Sequence, residues 1–239
     1  MTAAPDPISA PSDSEDFRVR VAAQRRGKMR ARLLDALLDI HGTQRSGVHL
    51  VIDDVIRAAD VSRGTFYKYF ESLEEAVAAL GEQLASEMMA DFQRLFGDEP
   101  DPAVRAFGGS AMTIARAWHD PRWGSFTSRV DYVDFFDRQD GFDLIVRSCL
   151  VQAREQGQMR FASLDAALDL VIGSAVEGQR RMVRGYDRPR AYVDALLGQV
   201  YAGLGMAPDT AAAAMAAAWG RIVSGAPGLG WWPAESKWG

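Results

Sequence analysis

The sequence predicts an all-α protein, with an N-terminal head of three helices and a larger helical body behind it. Three observations lead there. Apolar residues recur every three to four positions along most of the chain, the period of an amphipathic helix. No stretch of useful length alternates apolar with polar residues as a half-buried strand does. Two short helical stretches also meet at a tight turn, Asp60-Val61, which folds one across the other.

Residues 1–16, rich in Pro, Ser, Ala and acidic groups, have little to bury and read as a disordered tail. From about Phe17 the pattern turns helical. Met29, Leu33, Leu37 and Ile40, with Leu34 and Leu38 beside them, place a first helix from about Arg25 to His41 with its arginines outward, and Gly42 ends it. After the polar loop TQRSGVHL, VIDDVIRAA makes a short second helix. The turn then delivers VSRGTFYKYF, residues 61–70.

That segment carries a glycine where a helix loses roughly 1 kcal/mol relative to alanine. On a helical wheel, Phe66, Phe70 and Tyr69 share one side, while Gly64 and Lys68 fall opposite, flanked by Tyr67 and Thr65. One face is core and the other is polar, with a gap at the glycine. A missing outward side chain adds nothing to packing but lets the backbone approach another surface closely. Ser62 caps this helix, and Arg63 beside its exposed amides makes an arrangement suited to phosphate.

Ser72-Leu73-Glu74-Glu75 is a capping box that opens a fourth helix, which Val77, Leu80, Leu84 and Met88 continue to about Phe96. GDEPDP then breaks the chain. Further helices are expected at about residues 103–118, 121–129, 141–156, 163–184, 189–204 and 208–223, before the tail GWWPAESKWG. The domain organisation is thus a tail over 1–16, a head over 17–71, a body over 72–224 and a Trp-rich tail over 225–239.

Composition narrows the function. No run approaches the roughly 18 to 20 apolar residues of a membrane span, and the N-terminus lacks the basic and apolar regions of a secretory signal. A cytoplasmic location without a membrane partner is therefore expected. Cys149 has no second cysteine, and His41, His49 and His119 leave a zinc site almost without ligands, so neither metal nor other cofactor is expected. Cys149 reads as a core residue. The net charge of −5 is unevenly spread: residues 17–70 hold eleven cationic and five acidic groups, an excess of six that leaves −11 for the rest. A basic head on an acidic body suits a protein that sets one end on an anionic polymer; a solvated basic helix face is the plain alternative.

Three helices with a tight turn between the second and third describe a helix-turn-helix. IDDVIRAADVSRGTFYKYFESLEEAVAAL resembles the TetR family of transcriptional regulators, over about residues 28–90, chiefly through V-S-x-G-T-h-Y-x-Y-F with h apolar. The resemblance implies that Ser62, Arg63, Gly64, Thr65 and Lys68 face DNA, and that Tyr67 and Tyr69 touch phosphates. It also implies that Val55, Val61, Phe66 and Phe70 pack the small domain. The chemistry agrees: Arg63 can pair bidentately with guanine, Thr65 can meet a thymine methyl or a phosphate, and Lys68 supplies point charge. Four positions depart from the family pattern: Val51 replaces a capping Thr or Ser, Ile56 an alanine, Asp60 a glycine and Leu73 a lysine. Asp60 tolerates the left-handed conformation less readily than glycine. The loop 42–51 is also longer than usual, and Arg25, Arg26, Lys28 and Arg45 are candidates to restore lost phosphate contacts.

In the body, Phe107, Met112, Trp118, Trp123, Phe126, Phe135 and Phe136 concentrate aromatic and soft apolar side chains, with Tyr132 and Phe142 among them. They either fill the core or line an apolar pocket; the resemblance implies a ligand cavity in this part of the chain. His119, Arg122, Asp131 and Arg147 are the polar candidates to orient a ligand there. Leu168, Ile172 and Val176, then Leu197, Val200 and Leu204, form apolar stripes, and Gly173, Ser174 and Gly178 allow close helix approach. They make either an internal core stripe or, as the resemblance implies, the two-fold four-helix seam of a homodimer.

The function expected is a ligand-responsive DNA-binding regulator, most simply a repressor. It would bind double-stranded DNA at an inverted-repeat operator as a homodimer and be released by a small, largely apolar effector. The alternative is a helical ligand-binding or partner-binding protein with a decayed DNA-binding module, motivated by Val51, Asp60 and Leu73. An enzyme is disfavoured: there is no Glu-x-x-His pair for a di-metal site, no glycine-rich phosphate loop, and few histidines to act as bases.

Overall fold

The computed structural model describes residues 13–43, 50–129 and 142–238. All regular structure in these residues is helical. The head comprises α1 (Asp13–Thr43), α2 (Ile52–Ala59) and α3 (Arg63–Phe66); α4 (Leu73–Phe96) leads from it into the body. The body continues with α5 (Pro102–His119), α6 (Pro121–Thr127), α7 (Phe142–Glu155), α8 (Leu164–Val183), α9 (Pro189–Gly203) and α10 (Pro208–Gly225), ending in a 3₁₀ turn (Ala226–Gly228).

α1 begins at Asp13 rather than near Arg25, inside the stretch expected to be tail. Among its described side chains before Met29, only Val21 is even half-buried. Periodicity detects a helix through what it packs against, and these turns pack against almost nothing; the Ala, Arg and Gln that fill them hold the helix by propensity instead. From Leu33 onward α1 turns into core, with Leu33, Leu34, Leu37 and Leu38 all buried. α2 and α4 pack against it.

α5 is the axis of the body. Almost every residue from Pro102 to Ala117 is buried, because α4, α6, α7, α8, α9 and α10 surround it. Asp101 caps it by accepting from the Ala103 amide at 2.9 Å. Gly108 makes this close assembly possible, since a Cβ there would lie 2.2 Å from the Phe96 ring.

The Trp-rich tail packs rather than dangles. Trp238 is buried at 2% exposure against Trp118 of α5 and Trp219 of α10. Trp231 donates its indole N–H to Asp91 on α4 at 2.7 Å, and Arg221 of α10 bridges Glu99 at 2.6 Å and Asp98 at 2.8 Å. No helix among the described residues is long and apolar enough to cross a membrane.

Of the two readings of the apolar stripes, internal core or dimer seam, burial favours the core for most of their residues. Leu168, Leu197, Val200 and Leu204 are buried in the core of the single chain, and Ile172 and Val176 are half-buried. α8 and α9 pack against each other and against their neighbours, and Leu168, Leu197, Val200 and Leu204 are buried there. The outward faces carry different residues: Leu170 at 41% exposure and Gly173 on α8, with Ala191, Ala195 and Ala202 on α9.

Candidate nucleic-acid interface and effector region

The turn that presents the recognition segment is built from Asp60, which adopts the left-handed conformation at φ 49° and ψ 57°. Asparagine and aspartate reach it at modest cost, and Arg32 of α1 lies 3.5 Å from the Asp60 carboxylate. Val51 provides no side-chain cap to α2; half of a box survives because Asp54 accepts from the Val51 amide at 3.2 Å. Ser62 does cap α3, its hydroxyl accepting from the Thr65 amide at 3.1 Å and sharing a 2.9 Å hydrogen bond with the Thr65 hydroxyl.

α3 is a single α-turn, shorter than the expected helix. It continues through tighter bonds from Lys68 N to Thr65 O (3.2 Å) and from Tyr69 N to Phe66 O (2.9 Å). The two faces nevertheless divide as expected. Phe66 and Phe70 are buried at 0% and 2% exposure, while Ser62, Arg63, Gly64, Tyr67 and Lys68 are exposed and Thr65 and Tyr69 half-buried. Around Gly64 the space is open: a Cβ would meet nothing nearer than the Ser62 hydroxyl at 3.9 Å. The glycine thus answers to nothing inside the protein.

The sequence did not reveal where the Arg63 guanidinium rests. It donates to Asp53 of α2 at 2.6 Å, with both side chains more than half exposed. The hydrogen bond and the charge of Asp53 raise the Arg63 pKa further above its ordinary value. Spacing ten residues apart across a turn carries no periodic signal that would have exposed this pair. Beside α3, an open groove of about 580 Å³ runs between the first half of α1 and Tyr69, with Arg18, Arg25 and Arg26 on its walls. Two of the candidate compensating cations, Arg25 and Arg26, thus share a surface with Tyr69; Lys28 is exposed nearby on α1, and Arg45 lies outside the described residues.

Head and body meet where α1 crosses α6. Arg122 of α6 donates to Asp39 of α1 and lies 3.5 Å from Asp35. Gly42 admits it, because a Cβ there would fall 2.9 Å from the Arg122 Cγ. His41 is buried with its ring 5.2 Å from Phe126 in an edge contact and its Nδ1 2.8 Å from Arg129. Burial, with the Arg129 charge adding to it, lowers the His41 pKa to about 4.

The described aromatic candidates of the body have different ring partners. Phe107 packs with Tyr201 and Trp219, Phe126 with His41, Trp118 with Trp238, and Trp123 against Arg116. Met112 is fully buried in the core. Because α5 is enclosed on all sides, its large residues point to different neighbours. Phe135, Phe136, Tyr132 and Asp131 lie outside the described residues. Of the remaining polar candidates, Arg122 serves the α1 contact, Arg147 pairs with exposed Asp165 at 3.3 Å, and His119 sits 3.2 Å from Ser236 within the tryptophan cluster. Burial lowers the His119 pKa to about 4. The residue missed is Arg116, 5% exposed on α5. Its signal was present in GGSAMTIARAWH, as a lone cation in a run of small and apolar residues.

The fold is that of the TetR-family transcription regulators, helical proteins with a helix-turn-helix head. Among solved structures, RolR (NCGL1110) in complex with resorcinol superposes with a TM-score of 0.59 at 22% identity, over 82% of this chain and 95% of that one. A gamma-butyrolactone receptor described as ArpA-like superposes with a TM-score of 0.62 at 17% identity, over 84% and 99%. A TetR-family regulator of Shewanella sp. PV-4 does so with 0.62 at 17% identity, over 74% and 97%. No protein-family model and no curated protein sequence matches the chain.

Proposed function

We propose that the chain is a ligand-responsive DNA-binding transcription regulator, a repressor that binds an inverted-repeat operator as a homodimer and is released by a small effector. The observation that carries this reading is the exposed face of Arg63, Gly64, Tyr67 and Lys68, set opposite the buried Phe66 and Phe70, with open space at the glycine. A backbone that comes close to a phosphate chain needs that gap, and the flanking cations supply base and backbone contacts. An open groove walled by Arg18, Arg25, Arg26 and Tyr69 adds further cations to the head. The fold supports the reading, as do neighbours described as bound to resorcinol and as a butyrolactone receptor. In a two-fold dimer, recognition segments about 34 to 36 Å apart reach successive major grooves. The outward faces of α8 and α9, with Leu170 and Gly173, are the surface we assign to pairing. An effector that favours a different spacing releases DNA by differential affinity.

The Asp53 carboxylate on Arg63 favours a second reading, a ligand-binding protein whose head no longer reads sequence. Selection of genomic DNA fragments by the purified protein at near-physiological salt separates the two. Enrichment of an inverted repeat is expected; binding to all fragments alike, and only at low salt, would establish the second reading.

A further inference from the structure

Arg116 is a buried cation with too few partners. Its side chain is 6% exposed, and its Nη2 donates to Glu87 of α4 at 2.9 Å. Its Nε and Nη1 are buried and have no acceptor, and neither does the indole Nε1 of Trp123. The guanidinium carbon lies 4.8 Å from the Trp123 ring centre, so three unmatched nitrogen atoms belong to one cluster. Native interiors pair nearly all such groups, and a buried cation demands it most.

We propose that Arg116 and Trp123 form the polar end of a binding site for a small aromatic oxyanion, a carboxylate or phenolate, at the junction of α4, α5 and α6. The inference deepens the ligand-responsive reading and rests on it for its biological sense. An oxyanion supplies the acceptors that Arg116 lacks, and charge-assisted hydrogen bonds are the strong ones. The Trp123 ring backs the guanidinium, and its indole N–H offers one more donor. Glu87, whose side chain is 45% exposed, already holds one edge of the guanidinium, so an incoming anion competes with it. Glu87 belongs to α4, whose first residue, Leu73, follows closely on the recognition segment.

The test is calorimetric titration of the full chain, without DNA, with benzoate, 4-nitrophenolate, neutral benzamide and cationic benzamidine. One anion at least is expected to bind about tenfold or more tightly than benzamide, with benzamidine weakest; whichever anion prevails identifies carboxylate or phenolate. Glu87→Gln removes the competing charge and raises anion affinity, a gain that a purely structural ion pair would not produce. Arg116→Met, which keeps an unbranched stem and removes the guanidinium, abolishes anion binding. Should that variant not fold, Glu87→Gln decides alone. Equal affinities for benzamide and the anions, no binding of either anion, or unchanged or weaker anion binding in Glu87→Gln overturns the proposal, as does a high-resolution structure grown with benzoate that shows only ordered water at Arg116. DNA is absent from the titration, so anion binding without operator selection would sink the regulator reading alone, and operator selection without anion binding would sink this site alone.

Discussion

The surface of the head and the interior of the body handle charge in opposite ways. In the head, Asp53, Asp54 and Asp60 each meet an arginine at the surface: Arg63, Arg57 and Arg32. In the body, Arg116 is buried, meets one carboxylate and leaves two nitrogens without an acceptor. Exposed ion pairs contribute little to stability and are screened by salt, so they exchange readily for other partners. A buried, unmatched donor is costly, and it waits for something that fits. On the proposed function, the difference means that the head can trade its exposed pairs for contacts with DNA while the body holds a buried cation for a small anion.

The harshest test of this division removes the plug of the head. Phe66→Ala is expected to cost about 3 to 5 kcal/mol in denaturant unfolding, since the ring is fully buried. DNA binding should vanish while anion binding to the body persists. Loss of both would show that the two regions fold as one unit and that the contrast is one of surface only. Acid probes their junction. His41 has a folded pKa of about 4, below the 6.5 of the unfolded chain, so the unfolded state binds more protons between those values. Its contribution is complete above pH 6.5 and is lost as pH falls toward 4, in total on the order of 3 kcal/mol. His119, less buried, adds a smaller loss in the same window. His41→Gln should flatten the stability profile between pH 6.5 and 4; an unchanged slope would place the acid sensitivity elsewhere.

The head was far more legible in sequence than the body. Phe66, Gly64 and Ser62 sit within five residues, and local rules of period, capping and glycine geometry decide their places. The helices of the body were also legible, from 102–119 through 208–225, because each has its own apolar period. What joined them was not. The stripe Leu197, Val200, Leu204 reads the same whether it faces a partner or the core of its own chain, and only the packing shows it buried within the chain. The aromatics of α5 and α6 read in sequence as core or as pocket lining, because closeness in sequence does not say which neighbour each one meets; those described meet different ones. The turns of α1 before Arg25 were left out of the expected helix for the converse reason, having almost no buried face to mark them.

Two substitutions sharpen the head's side of the comparison without disturbing its fold. Gly64→Ala places its methyl group in open space and, inside a helix, gains up to roughly 1 kcal/mol in propensity. Thermal stability should hold or rise while operator affinity falls about tenfold or more, as the backbone is pushed away from the phosphates. Unchanged DNA affinity would leave the glycine unexplained. Arg63→Ala should weaken binding about tenfold and relax preference at one base pair, measured by competition among operator variants. Equal weakening at every site would make Arg63 a phosphate contact rather than a reader.

The smallest expected effect bears most directly on the contrast. If the exposed pairs of the head exist to be exchanged, Asp53 competes with DNA for Arg63, and the pair must break before the guanidinium reaches a base. Asp53→Asn then frees Arg63 and removes a negative charge from the surface that meets phosphate. Operator affinity should rise severalfold with folding stability unchanged, and the gain should shrink as salt is raised, because it is electrostatic. A fall in affinity would mean that Asp53 aims Arg63 at its base. The pair would then be positioning machinery, and the head would resemble the body in holding its charges where a ligand needs them.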